Sequence, residues 1–109
     1  MSFQTYESTV QACLACATHC EIWGSECLKE KNIEKFARCI ELTKNCAAIC
    51  LLTAKFLSTD SEFIPQVCDL CIEICEACAD ECAKNYMDEC AQYCRNCAEE
   101  CRMLTLTLA

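Results

Sequence analysis

Sixteen of the 109 residues are cysteine, and their spacing shows what chemistry they can do. Over Cys68–Cys101 the chain reads CDLCIEICEACADECAKNYMDECAQYCRNCAEEC, with cysteines at 68, 71, 75, 78 and 82, then at 90, 94, 97 and 101. Gaps of three and four residues bring side chains to one face of an α-helix. Such a stripe usually carries leucine and faces a core. Here it carries a soft metal ligand. Cys13, Cys16, Cys20 and Cys27 follow the same rhythm, as do Cys39, Cys46 and Cys50. All sixteen fall on inward seams, which a random scatter of cysteines over helical faces would not produce.

Two readings without metal compete. A buried cysteine is a small hydrophobe. It fills less volume than leucine, however, and a core made of it packs less well. Disulfides need a short Cβ separation and a specific dihedral, which spacing along one helix rarely supplies. Cross-helix bridges are geometrically open, but a reduced cytosol disfavours them. That leaves metal. Six pairs have the form CxxxC: Cys16/Cys20, Cys46/Cys50, Cys71/Cys75, Cys78/Cys82, Cys90/Cys94 and Cys97/Cys101. Thiolates one turn apart can converge on one ion. Cu(I) is selected by soft thiolates. Zinc takes four ligands in a tetrahedron, commonly from CxxC knuckles in loops, and iron–sulfur clusters also use CxxC runs in loops.

Charge discriminates further. One Cu(I) per thiolate makes a neutral core, whereas four thiolates per Zn²⁺ leave minus two at each site, and uncompensated buried charge is expensive. No lysine or arginine lies on the four seams to offset it. A loading near one Cu(I) per thiol is therefore expected. Protonated thiols are apolar enough to hold an empty bundle, so a helical metal-free protein is expected too. Two alternatives stay open: a zinc or general soft-metal buffer of metallothionein type, and a thiol redox or iron–sulfur protein.

The elements that position these thiols follow from composition. One glycine and one proline in 109 residues suit long helices with short connections and not a many-stranded sheet. The length suits one domain over residues 1–109. Helices are expected at about 5–30, 33–57, 62–84 and 87–106, with residues 1 to about 4 a loose end. Asn32 is expected to cap the second helix, and Asp60 or Ser61 the third, with Pro65 in its first turn; a short turn at 61–64 followed by a third helix from Pro65 is an equal alternative. The LTLTLA tail could fray. Short turns join the four into an all-α, antiparallel, up-down-up-down four-helix bundle with a cysteine-lined core.

A net charge of −8 argues against nucleic acid and anionic membrane as partners. MSFQTYESTVQ lacks the basic start and apolar run of a targeting segment, and no stretch is apolar enough to span a bilayer, so a cytoplasmic location is expected. Nothing resembles a catalytic arrangement, so no enzyme is expected. His19, the sole histidine, reads as a boundary residue with a surface partner before it reads as a ligand. Met87 reads equally as a core plug or as a thioether that passes Cu(I) inward. Gly24 either allows a close approach or is incidental. Tyr6, Thr9 and Trp23 share the first seam as packing residues. Ile40, Ala47, Leu51 and Ala54, with Ile72 and Ile74, form a further apolar stripe that suggests contact between subunits.

With TDSEF ahead of it, the Cys68–Cys101 stretch resembles the bacterial cytosolic copper storage proteins, cysteine-rich four-helix bundles once grouped as a domain of unknown function. The resemblance extends from Cys13 to Met103. It implies a lumen binding many Cu(I) ions, assembly as a tetramer, and storage and detoxification without catalysis. By position its ligands would be Cys13, Cys16, Cys20, Cys27, Cys39, Cys46, Cys50, Cys68, Cys71, Cys75, Cys78, Cys82, Cys90, Cys94, Cys97 and Cys101. Such proteins often carry histidines at the mouth near the third turn. Here that turn is Asn85-Tyr86-Met87-Asp88-Glu89, which makes Met87, Asp88 and Glu89 the substitutes to test.

Overall fold

A chain with so little to interrupt a helix should spend its length on a few long ones, and it does. The computed structural model describes residues 3–108 and contains α1 (Phe3–Cys27), α2 (Ala37–Ser58), α3 (Ile64–Lys84) and α4 (Asp88–Leu108). A single 3₁₀ turn, Ile33–Phe36, precedes α2, and no strand occurs among the described residues. The helices run up-down-up-down, each packed on its chain neighbours, with α4 returning to α1 to close the bundle. The result is a rod of 48 × 19 × 19 Å.

The helix ends depart from expectation for local reasons. The first helix begins at Phe3 and stops at Cys27, short of residue 30. Beyond it the amides of Leu28, Lys29 and Glu30 bond to carbonyls three residues back, at 3.1–3.2 Å, which tightens the chain out of the α-helix. Ile33–Phe36 is 3₁₀ and contains no buried residue, with only Phe36 partly buried against the core. Asn32 occupies the cap position there without a side-chain bond. The third helix starts at Ile64, with Pro65 in its first turn, after a short turn, close to the second of the two expected starts. Neither Asp60 nor Ser61 caps it: the cap position is Phe63, without a side-chain bond, and the Ser61 hydroxyl accepts from the Phe63 amide at 3.1 Å in the turn ahead of it. The tail is helical to Leu108, because Leu104 is buried and the Thr105 and Thr107 hydroxyls donate back to the Arg102 and Met103 carbonyls. Of the expected loose end, residues 1 and 2 lie outside the described residues, as does Ala109.

Two helix ends close with the same motif. After α2, the Ser61 amide bonds to the Phe56 carbonyl and the Asp60 amide to that of Leu57. After α3, the Met87 amide bonds to the Cys82 carbonyl and the Tyr86 amide to that of Ala83. These are Schellman closures, whose penultimate residue must be left-handed. Asp60 (φ 51°) and Tyr86 (φ 61°) occupy those positions. The second closure turns Met87 back onto the bundle end, where it is buried. Gly24 marks a close approach of α1 to α2, since a Cβ there would lie 2.7 Å from Thr43 Oγ1.

Candidate metal centre

Antiparallel packing turns four sulfur seams toward one axis. All sixteen cysteines are buried and free. Fifteen have no accessible surface, and Cys27 retains 3%. The only other buried polar side chains among the described residues are Thr9, Thr43 and Thr53. Thr43 and Thr53 donate to the carbonyls of Ile40 and Ile49 and so need nothing from the lumen. Among the described residues no cationic side chain is buried in the core.

Twelve of the thiols assemble into five groups of four whose sulfurs all lie within 4.8 Å of one another. In order along the axis these are Cys20/Cys78/Cys90/Cys94, Cys16/Cys20/Cys46/Cys94, Cys16/Cys46/Cys50/Cys75, Cys50/Cys71/Cys75/Cys97 and Cys13/Cys71/Cys97/Cys101. Each group shares two thiols with the next. The lumen is therefore a continuous ladder of sulfur, not a set of isolated sites. Contacts across helices are as short as those along them: 3.6 Å for Cys16–Cys46, Cys46–Cys75 and Cys13–Cys97, against 3.8 Å for Cys71–Cys75 and 4.0 Å for Cys46–Cys50.

Four thiols lie outside these groups. Cys82 is 3.9 Å from Cys78. Cys27 points its thiol at the Met87 sulfur, 3.5 Å away. Cys39 accepts a hydrogen bond from the Asn85 side-chain amide at 3.1 Å, and the same amide donates to the Glu81 carbonyl. Cys68 lies at the opposite end, buried on α3 beside Val67.

The lumen holds protons unevenly. Burial raises Cys27, and it pushes Cys39 up to about 11 with the neighbouring Cys27 adding to it. Within the ladder, hydrogen bonds from neighbouring thiols dominate. Donation from Cys20 lowers Cys16 and brings Cys90 down to about 5, and Cys101 does the same for Cys71. Their partners are held up: Cys50 first through Cys16, and Cys101 first through Cys13.

His19 stays at the boundary. Its ring stacks on Tyr93 at 3.7 Å and its Nδ1 lies 3.2 Å from a Glu89 carboxylate oxygen, so that carboxylate is engaged at the rim. Ala47 and Ala54 are buried in the bundle, and do not form the outer stripe expected of them. A helix packed on two neighbours buries a wider arc than a single seam. Of that stripe, Leu51 is exposed while Ile40, Ile72 and Ile74 are partly buried against the core. Asn85 and Glu81 were not foreseen as partners of Cys39. In the sequence they are a turn residue and a surface acid, and only the fold brings them to the sulfur.

A four-helix bundle whose long axis is a ladder of reduced thiols is a thiolate metal-binding bundle. Comparison with known proteins narrows the class. The sequence model of the copper storage protein family matches residues 2–106, and the chain belongs to that family. A curated relative, the uncharacterized cysteine-rich protein YhjQ of Bacillus subtilis (strain 168), is 40% identical over 85 residues, 78% of this chain and 79% of that one. The Cu(I)-bound copper storage protein 3 of Bacillus subtilis superposes with a TM-score of 0.87 at 38% identity, over 93% of this chain and 98% of that one. The copper storage protein of Streptomyces lividans loaded with 10 copper equivalents superposes with a TM-score of 0.90 at 29% identity, over 94% and 85%.

Proposed function

We propose that this chain stores Cu(I) as cargo, many ions per chain, bound by thiolates along the lumen. The observation that carries the reading is the ladder itself. Five four-thiol groups joined through shared pairs suit ions bridged by common thiolates, as a store requires, and one Cu(I) per thiolate keeps an uncharged core. All sixteen cysteines serve as ligands in this reading: twelve in the ladder, with Cys68 and Cys82 continuing it and Cys27 and Cys39 at one end. Met87, in contact with Cys27, hands ions inward from that end. Storage and detoxification involve no catalysis. The chain acts as one domain over residues 1–109.

The protein works in the cytosol. A similar Streptomyces lividans protein is described as cytosolic, and no described helix is long and apolar enough to cross a membrane. Assembly as a tetramer is supported by leucines left on the surface, among them Leu14, Leu51 and Leu52, each more than 40% exposed. The test of the storage reading is anaerobic titration of the reduced protein with Cu(I) against a competing chelator. A plateau on the order of 16 ions per chain is expected from charge neutrality. Saturation at one or two ions would mean that the sulfur core is mostly packing and that the chain carries copper rather than stores it.

A further inference from the structure

We propose that Cys50, Cys71, Cys75 and Cys97 form a tetrahedral tetrathiolate site that accepts a divalent thiophilic ion such as Zn²⁺ when Cu(I) is absent. This rests on the thiol-lumen reading but assigns a second cargo with a different geometry and capacity. Six sulfur–sulfur edges define a tetrahedron. In this group five are direct contacts: Cys50–Cys71 4.0 Å, Cys50–Cys75 3.7 Å, Cys50–Cys97 3.7 Å, Cys71–Cys75 3.8 Å and Cys71–Cys97 3.9 Å. The sixth lies within 4.8 Å. A zinc–sulfur bond of about 2.3 Å gives a regular tetrahedron with an edge of about 3.8 Å. The sulfurs already stand at that spacing. A two-coordinate Cu(I) ion instead needs two sulfurs on opposite sides of it, further apart than these five contacts.

Three helices supply the four ligands. The i, i+4 pair Cys71/Cys75 comes from α3, with Cys50 from α2 and Cys97 from α4. All four have no accessible surface, so water does not compete for the ion. Binding one M²⁺ releases four thiol protons and leaves a net charge of minus two on the site. With no cation in the core, each further ion adds to a charge that nothing offsets. The ladder also limits capacity by geometry. Filling this group uses thiols of both groups that adjoin it, and the remaining two groups share Cys20 and Cys94. The divalent capacity is therefore two ions. A core that does not use the regular site could hold three, in the first, third and fifth groups.

The test is anaerobic titration of the reduced, metal-free protein with Co²⁺, whose d–d bands report coordination geometry, followed by back-titration with Zn²⁺ and then Cu(I). Sulfur-to-cobalt charge transfer and intense tetrahedral d–d bands are expected, with a plateau at two ions, displacement by Zn²⁺ one for one, and bleaching by Cu(I). The double variant Cys71→Ser/Cys75→Ser leaves only the two groups that share Cys20 and Cys94, so its plateau falls from two to one. Weak octahedral bands, a plateau of three in the parent protein, or an unchanged plateau in a variant of native helicity would each overturn the inference. If the variant does not fold, the parent's band shape and plateau decide the matter alone. A parent that takes Cu(I) at about one per thiol but shows no tetrahedral cobalt bands sinks this inference and spares copper storage. One that shows the bands at two ions but takes no more Cu(I) than that does the reverse.

Discussion

The two ends of the bundle are made by the same antiparallel packing and finished with different chemistry. At one end the core terminates in Tyr6, Leu57, Ile64, Val67 and Leu104, all buried, with Cys68 beside them and Thr9 and Thr53 among the buried residues. The Tyr6 hydroxyl donates to an Asp60 carboxylate oxygen at 2.7 Å, tying α1 to the α2–α3 turn. At the other end sulfur continues to the rim. Cys27 meets Met87, and Cys39 is held by the Asn85 amide. Apolar plugs seal the first end against water and ions, while the second presents soft donors next to solvent. The lumen is plugged by apolar side chains at one end and lined by sulfur at the other, which supports the proposed passage of copper at the Met87 end.

The largest expected effect on that contrast is at the plug. Leu57 is 1% exposed, and truncating such a residue costs about 2–5 kcal/mol through lost burial and the cavity left behind. Leu57→Ala should lower the melting temperature of the metal-free protein sharply, and copper loading should raise the melting temperatures of parent and variant alike, because ions that bind only the folded chain stabilise it. Differential scanning calorimetry on both forms measures this. Melting temperatures that do not rise on copper loading would mean that copper does not hold the helices together.

The ends should also fail at opposite extremes of pH. The Tyr6 hydroxyl holds Asp60 below its ordinary value of 3.8. Its contribution is present above that value and is lost as pH falls through the lower folded one. Cys39 is raised from 9.0 to about 11. Its contribution is present below pH 9.0 and is lost as pH rises toward about 11, where the unfolded chain ionises first. Melting temperatures of the metal-free protein across pH should therefore fall on both limbs. Tyr6→Phe should relieve part of the acid limb and Cys39→Ser part of the alkaline limb. Exchange of those two effects would refute the assignment.

The smallest effect on stability, and the one most specific to function, is Met87→Leu. The swap conserves volume and should cost less than about 1.5 kcal/mol. It should slow Cu(I) uptake in stopped-flow measurements without changing the plateau. An uptake rate equal to that of the parent would remove the chemical distinction between the ends.

Most of this architecture was legible because cysteine spacing carries a helical period through a chain almost free of breakers. The inward placement of all sixteen thiols, four helices with short turns and a core without cations follow from Cys13–Cys27, Cys39–Cys50, Cys68–Cys82 and Cys90–Cys101 alone. The misreadings sit where long-range packing overrides local preference. Asn32 is a good capping residue that caps nothing through its side chain. Ala47 and Ala54 looked like an outer face until α2 was found to face two neighbours. Gly24 was ambiguous until Thr43 lay against it. The Asn85–Cys39 and Tyr6–Asp60 bonds join residues 46 and 54 positions apart, which no local pattern reports.

The sequence by itself determined the class of fold, the identity of the thiols that face inward and the preference for a monovalent soft ion, because helical period and charge neutrality are local and additive. Only the tertiary structure decided which thiols meet. The ladder of shared pairs, the near-regular tetrahedron at Cys50, Cys71, Cys75 and Cys97, and the contrast between a plugged and a sulfur-lined end depend on the rotation and axial offset of each helix against its neighbours. Those are fixed by packing between distant segments.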